Sequence, residues 1–376
     1  MILFVNSIAA FAYNISTAAE TGTLWAALAI TYVYFLGITQ TGIVISAIMR
    51  LTKSGWGRYF SRLGEILTLS FIPVAAITFI IIYIGGMEHL FWWMHPDAAS
   101  GHGGHELSPW LGKKFFLWRT IISMSLFYVM SFVYFRTGRD EEHEGRVNEG
   151  LKKRLNIMSA FVIILYIMHN TNTAWDFGMM IIKHWDSSIF PPYYWVGNLL
   201  MGSAFLFALS RRFIPRAPGE PADRWRLDAY GIMIMGFAML WTYMFWSQNI
   251  VIWYGDLPNL TGPFFKGRQG NYALPFAAMM LGSFAVPFLG TVIRKIKLCS
   301  ISLTAVAVIV CLGMWLNRYL MIMPVFSDGN LAAYEQWTLI SLFFGGGAAV
   351  ILSFIIFQKL FPSVPVTVPG DEDAHH

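Results

Sequence analysis

The sequence predicts an all-α protein whose helices cross a lipid bilayer several times. Of its 376 residues, 56% are hydrophobic and only 12% are charged, whereas soluble proteins carry about 25% charged residues. Apolar windows long enough to cross a bilayer as a helix, about 20 residues, recur along the whole chain. Lysine and arginine are concentrated in every second loop between these windows. The composition excludes a soluble multidomain protein, and two cysteines are too few for a disulfide-stapled secreted domain.

Nine apolar windows define the predicted spans. In chain order they are 24–49, 65–84, 115–134, 155–177, 193–210, 227–253, 272–293, 300–321 and 336–357. The segment 1–23 is apolar but is interrupted by Asn6 and Asn14, so we expect an interfacial or partly inserted segment, with a shortened tenth span as the alternative. Residues 24–358 then form one transmembrane domain, and residues 359–376 form a polar tail.

The distribution of basic residues predicts the orientation of the chain. Nineteen of the 26 lysines and arginines lie in the loops after spans one, three, five and seven or after the last span, and five lie in the alternate loops. The remaining two, Arg119 and Arg318, fall inside spans. By the positive-inside rule, the N-terminus is external and the C-terminal tail is cytoplasmic. This asymmetry explains the high isoelectric point without a nucleic-acid partner.

Polar residues inside the spans are the candidates for function, because ionisable groups are costly in a bilayer. Spans four, six and eight bring such groups to one depth near the predicted external face. They are His169, Asp176, Gln248, Asp256 and Arg318. A quinol site needs groups that accept a proton from each hydroxyl and walls that hold the ring, and Trp175 and Tyr254 are candidate wall residues.

Specific roles follow for three of these residues. His169 is the best proton acceptor, because an imidazole changes charge near neutral pH. Asp176 is expected to orient that imidazole or pass its proton outward, and Arg318 is expected to keep the carboxylate ionised. The plainer alternative for each residue alone is snorkelling or a hydrogen bond to a neighbouring helix. Tyr254 is equally typical of an aromatic belt at the membrane surface.

Two polar residues nearer the cytoplasmic side are candidates for a proton path. Glu65 begins span two, and Gln40 lies in the inner half of span one. A capping or interfacial glutamate is the alternative for Glu65. A haem-carrying cytochrome b is disfavoured because it needs paired histidines at matching depth, and His169 is the single histidine well inside a span. The chain offers no thiolate cluster for iron–sulfur and no recognised zinc spacing, so we expect no haem, iron–sulfur cluster or metal in it.

Four motifs resemble the NrfD/PsrC polysulfide-reductase membrane-subunit family. They are FLGITQTGIVISAIMRLTKSGWGRYFSRLGE at 35–65, HNTNTAWDFGMMIIKHWDSSIFPPYYWVGNLLMGSAF at 169–205, IVIWYGDLP at 250–258 and GMWLNRYLMI at 313–322. Within the family, the ActC subunit of alternative complex III is most similar, and the third motif also resembles the ActF subunit. The resemblance covers residues 25–325 and implies two four-helix bundles with peripheral helices.

The resemblance also implies a function. Members of this family are haem-free anchors in the bacterial inner membrane. They exchange electrons between a quinone or menaquinone pool and an iron–sulfur subunit on the outer face, alongside multihaem cytochrome c and other membrane subunits. By motif, His169, Asp176 and Arg318 match family positions. Gln40 stands where alternative complex III usually has a histidine, and Gln248 stands where it has an acidic residue.

Two alternatives stay open at this point. An anchor or proton-conducting subunit without a quinone site would keep the same fold, and the loss of histidine at Gln40 favours it. A secondary transporter belongs to another class, but transporters bind substrates at broken helices near the midplane, whereas the polar groups here cluster towards one face.

Overall fold

The computed structural model describes residues 1–54, 58–94, 108–144, 149–183, 185–213, 221–255, 262 and 265–361, and these residues form helices joined by short turns. The α-helices in chain order are α1 (Ile2–Thr17), α2 (Gly22–Leu51), α3 (Arg58–Ser70), α4 (Ile72–Ile81), α5 (Met87–Leu90), α6 (Lys113–Glu144), α7 (Glu149–Ala174), α8 (Phe190–Phe213), α9 (Pro221–Gly255), α10 (Ala273–Met280), α11 (Val286–Val292), α12 (Arg294–Lys297), α13 (Ser300–Phe326) and α14 (Ala333–Leu360). Single π-helical turns at Ile82–Gly86, Trp175–Met179 and Leu281–Ala285 continue α4, α7 and α10. The predicted all-α fold is confirmed.

Seven helical runs in the described part of the chain are long and apolar enough to cross a membrane. They are Gly22–Leu51, Phe60–Leu90, Lys113–Arg139, Arg224–Gly255, Gly270–Val292, Ser300–Phe326 and Ala333–Leu360. The two other predicted spans coincide with α7 and α8, which are 26 and 24 residues long. The protein is therefore a multi-pass membrane protein built as a helical bundle.

The helices pack as two groups of four, with α2 at the centre of the molecule. In the first bundle α2 packs on α3 and α7, and α6 packs on α7 and α3. In the second bundle α8 packs on α9 and α13, while the run formed by α10 and α11 packs on α13 and α9. Contacts of α8 with α2 and α7 join the two bundles, and α14 and α1 lie at the periphery.

Among the described residues, each bundle contains one pair of glycines at which the backbones of two helices are in contact. A Cβ atom on Gly42 of α2 would lie 2.3 Å from the carbonyl oxygen of Gly64 on α3. A Cβ atom on Gly313 of α13 would lie 2.8 Å from the carbonyl carbon of Gly282. Small residues allow this close approach between membrane helices, so the two pairs fix how the helices cross.

The N-terminal helix α1 packs against α14 at the edge of the molecule. Its 16 residues extend over about 24 Å at 1.5 Å per residue, which falls short of the roughly 30 Å hydrocarbon core. The Asn14 side chain is satisfied because its Nδ2 donates to Thr338 Oγ1 at 2.7 Å. The helix α1 is thus too short to cross the hydrocarbon core as a full tenth span. The predicted tail, residues 359–376, lies outside the described residues from 362 onward.

Candidate functional site

The end of α7 directs His169 and Asp176 towards the same neighbour, α6. Seven residues separate them, so on a regular helix they point in nearly the same direction, about 10 Å apart along the axis. The π-helical turn Trp175–Met179 carries Asp176, and its wider loop is closed by the Met180 N–H, which donates to the Trp175 carbonyl at 2.7 Å. Such turns are frequent at functional sites.

His169 is a buried imidazole with one nitrogen engaged and one without a partner. It is 1% exposed, its Nδ1 lies 3.0 Å from Ser123 Oγ on α6, and its ring stacks on Phe127 with centroids 6.3 Å apart. Among the described residues, no group bonds to Nε2. Ser123 therefore orients the imidazole, which is the role that the sequence analysis gave to Asp176, and Nε2 is left for another molecule.

Asp176 forms a buried ion pair with Arg119 of α6, whose Nη2 meets the Asp176 Oδ1. The second arm of the fork, Nη1, donates to the Trp110 carbonyl at 3.0 Å, and the guanidinium lies 4.3 Å from the Trp110 ring centroid. Trp175 is half-buried and packs edge-on against the same ring at 5.7 Å. The expectation that Arg318 holds this carboxylate ionised is wrong, because Arg119 occupies that place.

Arg318 is fully buried at the junction of the two bundles. Its Nη2 donates to the Tyr194 carbonyl at 2.9 Å and to Asn198 Oδ1 at 2.8 Å, and its Nη1 donates to Asn317 Oδ1 at 3.0 Å. The guanidinium also lies 4.1 Å from the centroid of the Tyr194 ring. Within the described part of the chain, every partner of this charge is neutral.

A chain of side-chain amides connects Arg318 with the first bundle. Asn198 of α8 donates through Nδ2 to Asn170 Oδ1 at 2.8 Å, and Asn170 of α7 donates to Gln40 Oε1 at 3.0 Å. Gln40 of α2 is fully buried and donates to the Tyr128 hydroxyl at 3.4 Å. Gln40 therefore belongs to a polar core between the bundles, at the depth of the residue that follows His169.

The direction of this chain is determined at two points. A guanidinium only donates, so Asn198 must present its oxygen to Arg318 and its nitrogen to Asn170. Asn170 also donates to the Tyr166 carbonyl at 3.0 Å, and a carbonyl only accepts. Both constraints give the same orientation, in which every amide donates away from the buried positive charge.

The candidates on α9 separate into one buried and one exposed residue. Gln248 is 3% exposed and its Nε2 has no partner in the described part of the protein. Tyr254 is 86% exposed and the neighbouring Trp253 is 77% exposed, which favours the aromatic-belt interpretation over a place in the site. Asp256 lies outside the described residues.

Glu65 lies in a separate buried group on α3. Its Oε2 pairs with Arg62 Nη1 at 2.9 Å, and its Oε1 accepts from Ser46 Oγ at 2.6 Å. Ser46 in turn lies 3.3 Å from the Tyr134 hydroxyl. Ser46 follows Gln40 on α2 by six residues, about 9 Å along the axis. In the structure, Glu65 thus forms a buried ion pair and does not act as a helix cap.

The predicted site residues fall into two neighbouring clusters. His169 and Asp176 face α6, whereas Arg318 joins the amide chain, and none of the contacts described above links Arg318 directly to the other two. Sequence reasoning missed Ser123, the paired amides and the role of Arg119. Arg119 could have been found, since a charge inside a span requires a partner.

Searches with the sequence matched no protein-family model and no curated protein. The resemblance to the NrfD/PsrC family therefore stays a prediction from motifs, and function is argued from the geometry of the buried polar groups.

Proposed function

We propose that the chain is the quinone-interacting membrane subunit of a multisubunit respiratory oxidoreductase in a bacterial inner membrane. It would exchange electrons between the quinone pool and an iron–sulfur subunit docked on the predicted external face. The observation that carries this proposal is the Nε2 atom of His169, a proton-accepting atom that is buried yet has no partner among the described residues. Buried polar atoms are normally paired, and an unpaired one is explained by a ligand that completes it.

The chemistry assigned to His169 is acceptance of a proton from a quinol hydroxyl. Oxidation of a quinol releases two protons and two electrons, and the electrons would pass to the iron–sulfur partner. Ser123 lies 3.0 Å from Nδ1 and holds the ring, so Nε2 is the atom that would meet the quinol hydroxyl. A positioned acid–base group of this kind contributes about 10²–10⁴ in rate.

Asp176 and Arg119 supply a second ionisable pair about two turns beyond the imidazole. At about 10 Å along the axis, the carboxylate is too far for a direct bond to the ring, so proton transfer between them would run through water. Arg119 keeps the carboxylate in place by the ion pair and by its own bond to the Trp110 carbonyl. In this assignment Asp176 receives the proton that His169 has taken from the quinol and passes it towards the predicted external face.

The test measures quinol-dependent turnover of the complex isolated with its partners. His169→Ala is expected to lower turnover by about 10²-fold or more, and Ser123→Ala should cause a smaller loss because the imidazole remains but is no longer held. His89→Ala is the matched control, since His89 is exposed and its contacts, a stack on Trp25 and a hydrogen bond with Thr21 at 3.3 Å, lie on other helices than those of the site. Normal kinetics in an assembled His169→Ala complex would refute the proposal and favour the quinone-free anchor.

A further inference from the structure

One exposed face of α9 carries a polar group at a depth where the membrane offers none. The residues of this face recur every three or four positions and are all exposed, namely Ile232, Gly236, Met239, Tyr243, Trp246, Ile250 and Trp253. We call these seven residues the α9 seam, and none of them is charged. By contrast, an exposed series in the middle of α6 ends in hydrocarbon throughout, as expected for side chains that face lipid. It consists of Ile122, Leu126, Val129 and Phe132.

Exposed tryptophans at the two ends of α9 place the α9 seam in the membrane. Trp225 and Trp253 are both exposed, and tryptophan is enriched at both membrane–water interfaces. Their separation of 28 residues corresponds to about 42 Å at 1.5 Å per residue, close to the roughly 40–45 Å of a whole bilayer. Tyr243 lies ten residues before Trp253, about 15 Å along the axis. It is therefore inside the hydrocarbon core, about 6 Å from the midplane.

The Tyr243 hydroxyl has no hydrogen-bond partner in the described part of the chain. Its side chain is 64% exposed, and the bond made at this residue belongs to the carbonyl, which accepts from Ser247 Oγ at 2.8 Å. Side chains on a helix lean towards its N-terminus, which for Tyr243 is towards the midplane and away from the nearer membrane surface. Water is absent at that depth, and an unpaired hydroxyl in hydrocarbon is costly. The hydroxyl thus indicates that a protein surface with an acceptor covers the α9 seam.

A second copy of the chain supplies such an acceptor. Two copies insert into the membrane with the same orientation, so a twofold axis that relates them runs along the bilayer normal. This axis pairs the two seams in parallel, and equivalent residues meet at equal depth. A hydroxyl both donates and accepts, so one Tyr243 can donate to the other. Because the α9 seam is uncharged, no like charges oppose this pairing.

The shape of the α9 seam favours the same arrangement. Gly236 lies seven residues before Tyr243, and a Cβ atom built on it would meet no other atom of the described residues within 4 Å. Glycine at such an open position lets two membrane helices approach closely. The residues of the seam alternate at spacings of four and three, which is the repeat of left-handed helix pairs.

We propose that the α9 seam is the interface of a homodimer, in which the α9 helices of two copies pair in parallel around Gly236 and Tyr243. The dimer joins the copies through their second bundles. His169 and Ser123 belong to the first bundle, so each copy keeps its own candidate site. This inference concerns assembly and does not depend on the reaction proposed for that site.

The test measures the monomer–dimer equilibrium of the purified full chain in phosphatidylcholine vesicles, by energy transfer between two populations labelled at the exposed Cys299. Gly236→Leu is expected to lower the dimerisation constant about tenfold or more, because leucine prevents the close approach. The open space at Gly236 accommodates the new side chain in the monomer. Gly138→Leu on α6 is the matched control, since Gly138 is equally open to the described residues, and it should change the constant less than about twofold.

Two further variants test the hydrogen bond and the position of the interface. Tyr243→Phe keeps the ring, and it should lower the dimerisation constant about threefold to fifteenfold, the range for hydrogen bonds between membrane helices. Met239→Cys, with both native cysteines replaced by serine, should form a disulfide between two copies on oxidation. Val129→Cys in the same background is the control, because Val129 is 62% exposed on α6, and it should stay monomeric.

Four results would overturn the proposal. The first is a monomer at every protein density, and the second is equal cross-linking of Met239→Cys and Val129→Cys, which would indicate random collision. Unchanged dimerisation in both Gly236→Leu and Tyr243→Phe would place the interface elsewhere. Cross-linking of Met239→Cys to a different subunit in the isolated complex would assign the α9 seam to that subunit. His169→Ala should leave dimerisation intact and Gly236→Leu should leave quinol turnover intact, so this proposal and the proposed function fail independently.

Discussion

Breaking the ion pair between Arg119 and Asp176 should reveal how strongly α6 and α7 are coupled at the site. Both side chains are buried, 5% and 2% exposed, so Arg119→Met leaves a carboxylate and Asp176→Leu leaves a guanidinium without its partner. Two charges about 4 Å apart interact by about 4 kcal/mol at an effective dielectric constant near 20. Loss of one partner of a buried pair typically costs about 3–5 kcal/mol, and we expect each single variant in that range.

The double variant separates the ion pair from the packing around it. Arg119→Met with Asp176→Leu leaves no buried charge, so it should recover most of the loss, and the coupling energy should be at least about 2 kcal/mol. Part of the Arg119→Met loss will persist, about 1 kcal/mol, because the bond to the Trp110 carbonyl also disappears.

The measurement is reversible unfolding in mixed micelles, followed by helical circular dichroism, for the wild type and all three variants. A matched control is the exposed pair Lys152–Glu149, whose side chains are 50% and 80% exposed. Its double-mutant cycle should give a coupling below about 0.5 kcal/mol. A coupling below about 1 kcal/mol for the buried pair would refute the argument that Arg119 compensates Asp176.

Two further predictions concern orientation and the amide chain. A membrane-impermeant maleimide should label Cys299 in inverted vesicles and not in intact cells, because Cys299 is exposed next to the basic loop predicted to be cytoplasmic. Hydrogen bonds from Ser302 hold the pKa of the Cys299 thiol below its usual value, which favours the reactive thiolate. A Cys311→Ser background excludes the other thiol, and labelling from outside would reverse the topology. Asn198→Leu should destabilise the protein by about 1–3 kcal/mol, because the Arg318 guanidinium and the Asn170 oxygen each lose a buried hydrogen-bond partner. Asn198→Asp should be milder in the same unfolding measurement, because a carboxylate still accepts from Arg318, and equal effects of the two variants would contradict the assigned direction of the chain.

Hydropathy alone was sufficient to predict where the membrane helices lie along the chain, but not the residues at which they begin and end. The window 155–177 corresponds to α7 and its π-helical turn, yet α7 begins at Glu149 because helical structure continues beyond the apolar core. Glycine contacts such as Gly42 with Gly64 decide the crossing of helices. They depend on the partner helix, so no window along a single chain segment reveals them.

The sequence places each candidate residue along its helix, whereas the direction in which each side chain faces around the helix could not be predicted from it. His169 and Asn170 lie at the same depth but about 100° apart around α7, so one faces Ser123 and the other faces Gln40. The same arithmetic would have separated Gln248 from Tyr254. Six residues amount to about 240° around α9, so the two cannot both face one pocket.

The amide chain also limits where protons can travel. Amides and guanidinium groups keep their protons at physiological pH, so the groups from Arg318 through Asn198 and Asn170 to Gln40 transmit polarisation without releasing a proton. A path from Glu65 past Gln40 to His169 would need water or a titratable side chain at the place where Gln40 stands. Asp176, by contrast, is a carboxylate at the end of α7 nearest the predicted external face. In the proposed quinol reaction, the proton taken by His169 would therefore leave past Asp176 on the predicted external side of the membrane. The amide chain would have a structural role and keep the two bundles in register around Arg318.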